Sequence, residues 1–353
     1  MRCARCGSRQ IAIKRPRTDR ILCKDCFCTE FEEDVHLGIV ENHVFTPGDL
    51  VAVGVSGGKD STVLLHVLHT LNARHQYGIQ LHLLSADEGI SGYRDNSLET
   101  VYANARTYEL PLTVVAYKEL FGWTMNEIHQ AIGKKNNCTY CGVLRRKALD
   151  VGAQRINATK LAMGHNADDY AETVLMNVCR GDIGRMERCT DMTTGGPESG
   201  TVTRVKPLKY VYQKEVVMYA HFKKLLYFST PCTYAEEAYR GYARTFLNRL
   251  HAVLPSAVAD IIHAGERLQL ADQIKREQPK QRKCQRCGYI TSQALCQACA
   301  LLEGLNTTRS TDVAAAPPAA VPEEVVRPPP PQTSETPDPQ SPGDIESTPA
   351  LRS

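Results

Sequence analysis

Hydrophobic residues in the first 270 positions form short continuous runs that alternate with longer amphipathic stretches. The run at residues 50–55 has no polar interruption, which is typical of a strand buried on both faces of a parallel sheet. Other strands are predicted at residues 79–85, 112–116, 159–164 and 202–205. Helices are predicted at residues 60–71, 96–109, 167–180, 215–228 and 234–250, and a connecting helix and turn at 31–49. This alternation predicts an α/β fold with a doubly wound parallel sheet, which binds ligands at the carboxyl ends of its strands.

The first buried run ends in Ser56-Gly57-Gly58-Lys59-Asp60-Ser61, directly before a predicted helix. The glycines permit a tight backbone, and free N–H groups at a helix N-terminus bind anions. Lys59 adds a positive charge, and both serine hydroxyls can donate to phosphate oxygens. A purely structural Gly-Gly turn is the alternative. The string is not a Walker A loop, because Val53 occupies its first glycine position and Asp60 follows the lysine.

The string resembles the pyrophosphate-binding loop of the PP-loop ATP pyrophosphatases. This resemblance implies a Rossmann-like fold that cleaves ATP between the α- and β-phosphates with the help of Mg²⁺. It assigns ATP contacts to the six loop residues and to positions at two other strand ends, namely Ala86, Asp87, Gly164 and His165.

Two adjacent acids, Asp168 and Asp169, follow the fourth predicted strand. The segment resembles a second signature of tRNA-modifying PP-loop enzymes, in which an acid lies near the reacting uridine or its magnesium. The resemblance implies a catalytic role for one of them, and the sequence does not choose between them. Capping of the next helix by Asn166 or Asp168 is the alternative for at least one of these residues.

Two groups of four cysteines have the spacing of zinc ribbons, in which paired C-x2-C knuckles complete a tetrahedron. The members are Cys3, Cys6, Cys23 and Cys26 near the N-terminus, and Cys284, Cys287, Cys296 and Cys299 near the C-terminus. Cys28 competes with Cys26 as the fourth N-terminal ligand. The loop between the first two knuckles is rich in arginine and lysine, which predicts a basic face suited to a phosphate backbone.

A further pair, Cys138 and Cys141, precedes the lone Cys232 by some ninety residues. An isolated C-x2-C fits a redox dithiol or half of a zinc site. The segment resembles the thiouridine and thiocytidine synthases, in which such a trio holds a [4Fe-4S] cluster and leaves one iron open to bind hydrosulfide. A catalytic persulfide on one of these thiols is the alternative. Relatives place a lysine shortly after the pair, whereas this chain has Arg145 and Arg146, so a lysine function at that point is in doubt.

Composition changes sharply at residue 303. The last 51 residues contain eleven of the 19 prolines and an excess of acids, which predicts a disordered tail. Without them the net charge rises from +3 to about +8, which favours a polyanionic partner. The predicted division is an N-terminal zinc ribbon (1–35), a PP-loop domain (36–270), a C-terminal ribbon (271–302) and the tail (303–353). The sequence shows no apolar run of transmembrane length and no signal-peptide core, so a soluble cytoplasmic protein is expected.

The order of these motifs resembles that of the catalytic subunits that thiolate the wobble uridine of tRNA. The resemblance implies a tRNA 2-sulfurtransferase for lysine, glutamate and glutamine tRNAs, with ATP, Mg²⁺, two Zn²⁺ and a [4Fe-4S] cluster as cofactors. It implies tRNA, a ubiquitin-like sulfur carrier and a related second subunit as partners, and it allows a dimer. A non-catalytic tRNA-binding scaffold and an ATP-dependent amide ligase are the competing functions.

Overall fold

A computed structural model describes residues 1–196, 201–230, 232–234, 238–268 and 282–310. The strands are β1 (Ile13–Lys14), β2 (Ile21–Leu22), β3 (Leu50–Gly54), β4 (Gln80–Asp87), β5 (Leu112–Ala116), β6 (Lys160–Ala162), β7 (Thr193–Thr194), β8 (Thr203–Val205), β9 (Arg282–Lys283) and β10 (Ile290–Thr291). The helices are α1 (Lys24–Glu41), α2 (Lys59–His75), α3 (Arg94–Tyr108), α4 (Tyr117–Phe121), α5 (Met125–Ile132), α6 (Asn137–Arg155), α7 (Ala167–Arg180), α8 (Ile183–Cys189), α9 (Gln213–Lys223), α10 (Tyr239–Val253), α11 (Ala257–Arg267) and α12 (Gln297–Ser310).

Within the described part of the chain, the central sheet has six strands in the order β5-β4-β3-β6-β8-β7. Every neighbouring pair is parallel except β7 and β8 at one edge. The central strand β3 is buried on both faces: Val51 and Val53 pack against α1, α2 and α9, whereas Ala52 packs against α6. Side chains alternate across a strand, so one continuous apolar run serves two cores. The predicted doubly wound α/β sheet is confirmed.

One predicted helix and one segment without a predicted element differ from the observed structure in ways that bear on the site. The helix expected at 215–228 ends at Lys223, because Lys224 takes a left-handed conformation at the C-cap. The extended chain beyond it reaches the phosphate-loop candidate, where Phe228 forms a parallel bridge with Gly58. The segment that holds the C-x2-C pair, for which no element was predicted, forms the start of α6.

The N-terminal ribbon is a small hairpin of β1 and β2 followed directly by α1. Arg15 fastens it to the main domain, because its guanidinium is 2.6 Å from the Glu215 carboxylate on α9 and both side chains are almost fully buried. Asp34 of α1 contacts the same guanidinium at 2.7 Å. The ribbon is therefore packed onto the sheet domain by buried ion pairs.

The C-terminal ribbon, formed by β9, β10 and α12, packs against α6 and α5. The Tyr289 hydroxyl donates to Asp150, and the Trp123 indole donates to Asn306 at 2.9 Å. Helix α12 continues to Ser310, eight residues into the segment expected to form the tail, because Leu305 is buried against this contact. The rest of the predicted tail, residues 311–353, lies outside the described residues. Among the helices that are described, none is long and apolar enough to cross a bilayer.

Candidate active site

The string from Ser56 to Ser61 forms a tight loop between β3 and α2, with Gly58 as the N-cap of the helix. The Ser61 hydroxyl donates to the Gly58 carbonyl at 2.9 Å and accepts from the Ser56 amide at 3.2 Å. The first-turn N–H groups of α2 thus lie at the carboxyl edge of the central strand. This is the geometry in which a helix N-terminus binds phosphate.

Glycine is required at two positions around this loop. Gly57 has a φ of +72°, and a Cβ there would lie 2.6 Å from the Ser97 carbonyl oxygen of α3. Gly164, just after β6, lets that strand end approach the loop, since a Cβ would lie 3.0 Å from the Asp60 carbonyl. Side chains at these positions would push the neighbouring elements away from the loop.

Asp60 connects the loop to the second acidic signature. Its carboxylate accepts from Lys59 Nζ at 2.9 Å through one oxygen and from the Asn166 side chain at 3.0 Å through the other. Asn166 is the N-cap of α7, where it forms a reciprocal capping box with Asp169. The sequence did not predict this Asp60–Asn166 contact, because the two residues are 106 positions apart.

Neither adjacent acid is free. Asp169 completes the capping box, and Asp168 accepts a hydrogen bond of 2.6 Å from the Gln213 amide at the start of α9. Burial raises the pKa of Asp168. The capping alternative is therefore correct for Asn166, with Asp169 as its partner rather than Asp168.

His165 lies at the carboxyl end of β6 with its Nδ1 buried and without a hydrogen-bond partner in the described part of the structure. Burial lowers the pKa of His165 to about 4, so the ring is neutral near pH 7. At the end of β4, Asp87 accepts from the Gly89 amide and pairs with Arg94 at 2.7 Å. The Asp87 side chain thus shapes its own turn, and Ala86 before it pairs with β5.

Cys138 and Cys141 lie one turn apart on α6 and so share a face of the helix. Burial raises the pKa of both thiols. The nearby Cys232 thiol raises the pKa of Cys138 further, whereas Arg145 opposes the effect of burial on the pKa of Cys141. The backbone carbonyl two residues after Cys232, that of Tyr234, is 3.8 Å from the Cys138 sulfur. The structure therefore brings the distant cysteine to the C-x2-C pair.

Arg145 lies one turn after Cys141 on α6. Its guanidinium lies 3.1 Å from the Cys141 sulfur and 2.7 Å from the Glu88 carboxylate, which follows β4. Glu88 and Cys141 raise the pKa of Arg145 well above its usual value. A fixed cation beside Cys141 favours the thiolate, the form that binds metal or accepts sulfur. The Glu88–Arg145 contact joins residues that are distant in sequence, so no local pattern predicts it.

The two predicted zinc groups are assembled with tetrahedral spacing. In each, all four sulfur atoms lie within 4.8 Å of one another. Zinc–sulfur bonds of about 2.3 Å in a tetrahedron place ligand sulfurs about 3.8 Å apart. The observed Cys6–Cys23 and Cys287–Cys296 distances are 3.7 and 3.6 Å. The N-terminal group contains Cys26, whereas Cys28 lies in the core, where burial raises its pKa to about 11.

Cys138, Cys141 and Cys232 do not form such a tight group among the described residues. Sulfur ligands of one zinc ion lie about 3.8 Å apart, so the three thiols are not placed as a preformed zinc site. Thiolates that bind different irons of a larger cluster do not need that spacing.

The basic loop of the N-terminal ribbon is mostly neutralised within the chain. The pairs are Lys14–Asp19, Arg15–Glu215, Arg17–Asp34 and Arg20–Glu30. The predicted basic face is therefore not free at these four cations. The acids that pair with the three arginines lie on α1 and α9, distant in sequence, whereas Lys14 pairs with Asp19 of the loop itself.

One short segment joins the two halves of the site. The Phe228 amide donates to the Gly57 carbonyl at 2.7 Å, so this residue touches the loop. Cys232 follows four residues later and therefore lies within about 14 Å of it. The centroids of the Tyr93 and Phe228 rings are 5.3 Å apart. Burial raises the pKa of Tyr93, and the nearby Glu88 and Cys232 raise it further.

Comparison with known proteins agrees with this arrangement. A family profile described as a PP-loop domain matches residues 32–251, and one described as a zinc ribbon matches residues 282–311. "Cytoplasmic tRNA 2-thiolation protein 1" of Danio rerio is 57% identical over 306 residues, which are 87% of this chain and 89% of the relative. The protein of that name from Oryza sativa subsp. japonica is 57% identical over 86% of this chain and 83% of its own length.

Among solved structures, the chain is similar to the U34-tRNA thiolase NcsA from Methanococcus maripaludis with its [4Fe-4S] cluster. The TM-score is 0.73 at 27% sequence identity, over 86% of this chain and 96% of the other. The similarity extends well beyond the loop that binds phosphate.

Proposed function

Because this chain belongs to the PP-loop family of the cytoplasmic tRNA 2-thiolation proteins, we propose that it replaces the 2-oxygen of the tRNA wobble uridine with sulfur. It is a tRNA sulfurtransferase that uses ATP. The observation that carries this function is the joining of two chemistries by residues 228–232: a phosphate-binding loop at Gly57 and three clustered thiols. An ATP-dependent amide ligase has no use for the thiols, and a scaffold has no use for the loop.

The first step is activation of the base. The uridine 2-oxygen attacks the α-phosphorus of ATP, which forms an adenylated uridine and releases pyrophosphate. Lys59 and the N–H groups that begin α2 stabilise the charge on the departing pyrophosphate. Asp60, paired with Lys59 and Asn166, orients the lysine and is available to a magnesium ion bound to the nucleotide.

The second step is sulfur transfer, in which sulfide displaces AMP from the activated carbon. Cys138, Cys141 and Cys232 are the residues that would hold a [4Fe-4S] cluster, which would supply an iron site for hydrosulfide. Arg145 stabilises the Cys141 thiolate, and Glu88 fixes the guanidinium. A persulfide on one of these cysteines is the alternative carrier.

Of the two adjacent acids, Asp169 is the one connected to the ATP loop. It orients Asn166, whose amide donates to Asp60. Asp168 instead connects α7 to α9. Asp169 is thus assigned as a positioning residue, and Ala86, Asp87, Gly164 and His165 are assigned to the walls of the nucleotide site because they occupy the adjoining strand ends.

The finer features follow from the family. The tRNAs are those for lysine, glutamate and glutamine, the sulfur arrives on a thiocarboxylated ubiquitin-like carrier, and a related second subunit or a second copy completes the enzyme. Zinc ribbons at 1–35 and 271–302 flank a catalytic domain at 36–270 and bind one Zn²⁺ each. The protein acts in the cytoplasm.

Release of pyrophosphate that depends on tRNA tests this function. The anaerobically purified protein with [γ-³²P]ATP should release labelled pyrophosphate only when tRNA is present, and Lys59→Ala should abolish the release because it removes the charge facing the leaving group. Lys214→Ala, an exposed lysine of α9, is the matched control. Release without tRNA, or full release by Lys59→Ala, contradicts the proposal.

A further inference from the structure

A cleft of about 530 Å³ lies directly beside Cys138, and apart from that cysteine its lining has no part in the two steps above. Its described lining residues come from α5, the α5–α6 turn, the start of α6, the segment after Cys232, the end of α7 and the start of α10. They are His129, Lys134, Lys135, Asn136, Asn137, Cys138, Thr139, Arg180, Thr233, Tyr234, Ala238 and Tyr239. This lining, termed the Cys138 cleft, contains three cationic side chains and, among its described residues, no acid.

The cations of the Cys138 cleft are available to a ligand. Lys134 and Lys135 are exposed and make no ion pair within the described part of the chain. Arg180 lines the cleft and lies over the Tyr239 ring at 4.8 Å. The His129 and Tyr234 rings stack at 4.4 Å and form an aromatic wall. Cations beside flat rings are the combination that binds unpaired nucleotides.

The cleft continues onto an exposed aromatic face of α10. Tyr239, Tyr242 and Phe246 occupy one face at helical spacing and are 45%, 75% and 53% exposed. The adjoining face of α10, with Ala243 and Leu247, is buried against the domain. Rings this exposed add nothing to the core, so packing does not explain them. This set of three rings is termed the α10 stripe.

We propose that the Cys138 cleft and the α10 stripe bind the unpaired anticodon-loop nucleotides next to the target uridine. The inference rests on the proposed function, since it assumes a tRNA substrate. The stripe spans seven residues, or roughly 10 Å of helix, at 1.5 Å per residue. Nucleotides along one strand are about 3.4 Å apart, so the stripe matches about three of them. An RNA loop stacked on these rings would lie beside Cys138, one of the three cysteines of the sulfur-transfer site.

Charge and ring geometry favour RNA over a protein tail in this cleft. A peptide strand needs an exposed sheet edge or an apolar groove, whereas the cleft has lysines, asparagines and stacked rings. Duplex RNA is equally disfavoured, because its bases are stacked on each other and cannot reach tyrosine rings. The expected ligand is thus a single-stranded loop.

The test measures binding of a fluorescent anticodon stem-loop RNA, and of a blunt RNA duplex of equal length, to the full-length protein. Tyr242→Ala and Phe246→Ala should each weaken stem-loop binding at least about five-fold, because a stacked base is lost. Lys134→Gln combined with Lys135→Gln should reduce the slope of log affinity against log salt by about 1.4, at roughly 0.7 for each phosphate contact. Duplex binding should not change.

Leu37→Ala, a residue of α1 that is 52% exposed, and Lys214→Gln are the matched controls, and Tyr242→Phe should retain affinity because it retains the ring. Wild-type stem-loop binding by the stripe and lysine variants overturns the inference. So does a defect seen only in sulfur transfer from a protein carrier, which would assign the cleft to a protein tail. Pyrophosphate release by the wild type with intact tRNA is measured in parallel, so a failure of the proposed function is recognised separately.

Discussion

At the scale of single residues, the nucleotide loop depends on backbone conformations that only glycine tolerates. We expect Gly57→Ala to destabilise the fold by about 1–3 kcal/mol, because it combines a positive φ with a Cβ at 2.6 Å from the Ser97 carbonyl. Gly58→Ala is the control, since its φ is −77° and the nearest atom to its Cβ is at 3.4 Å. Urea unfolding measures both, and equal midpoints for the two variants would contradict the loop geometry.

Cys232 tests the division between activation and sulfur transfer. The Cys232→Ala protein should contain no iron and form no thiolated nucleoside. Three thiolates are the fewest that can hold a cluster with an open iron, and this substitution removes one of them. Release of pyrophosphate with tRNA should continue, since the ATP loop is unchanged. Cys179→Ala, an exposed cysteine of α7, is the control and should keep both activities. A Cys232→Ala protein that retains iron and thiolation would leave Cys138 and Cys141 as a persulfide or redox site.

At the scale of elements, the N-terminal ribbon is joined to the domain by one buried cation. Arg15→Ala should lower stability by about 3–5 kcal/mol, because it leaves the fully buried Glu215 carboxylate without its partner. Arg17→Ala, which breaks only the more exposed pair with Asp34, should cost no more than about 1 kcal/mol. Thermal unfolding of the zinc-loaded protein compares the two variants. A smaller loss of stability for Arg15→Ala than for Arg17→Ala would contradict the packing of the ribbon onto the domain through Arg15.

At the scale of the whole molecule, the described residues of the domain and both ribbons contain the packed cores, and residues 311–353 lie outside the described part. Deletion of residues 311–353 should therefore leave the melting temperature and the tRNA-dependent pyrophosphate release nearly unchanged, because this proline-rich acidic composition cannot build a core. Truncation before Gln297 should be severe by contrast, since it removes α12 and Cys299 of the zinc group. A fall of several degrees for the shorter deletion would show that the tail packs on the domain.

The sequence by itself determined the features whose signal is local. The run at 50–55 specified the central strand because every residue in it is apolar, and Ser56-Gly57-Gly58-Lys59-Asp60-Ser61 specified the loop because its chemistry depends on adjacent residues. The C-x2-C pairs specified the zinc groups for the same reason, since each knuckle is closed within four residues. Helix α7 agrees with its prediction at both ends because its apolar spacing and its cap are both local.

Tertiary structure alone decided which distant residues meet. It ended α9 early so that Phe228 could pair with the loop, and it brought Glu88 to Arg145 and Asn166 to Asp60. It also paired the three arginines of the ribbon's basic loop with acids on α1 and α9. These contacts depend on how the strands are ordered in the sheet and how the helices cover it. No periodicity or spacing within the chain encodes that order directly.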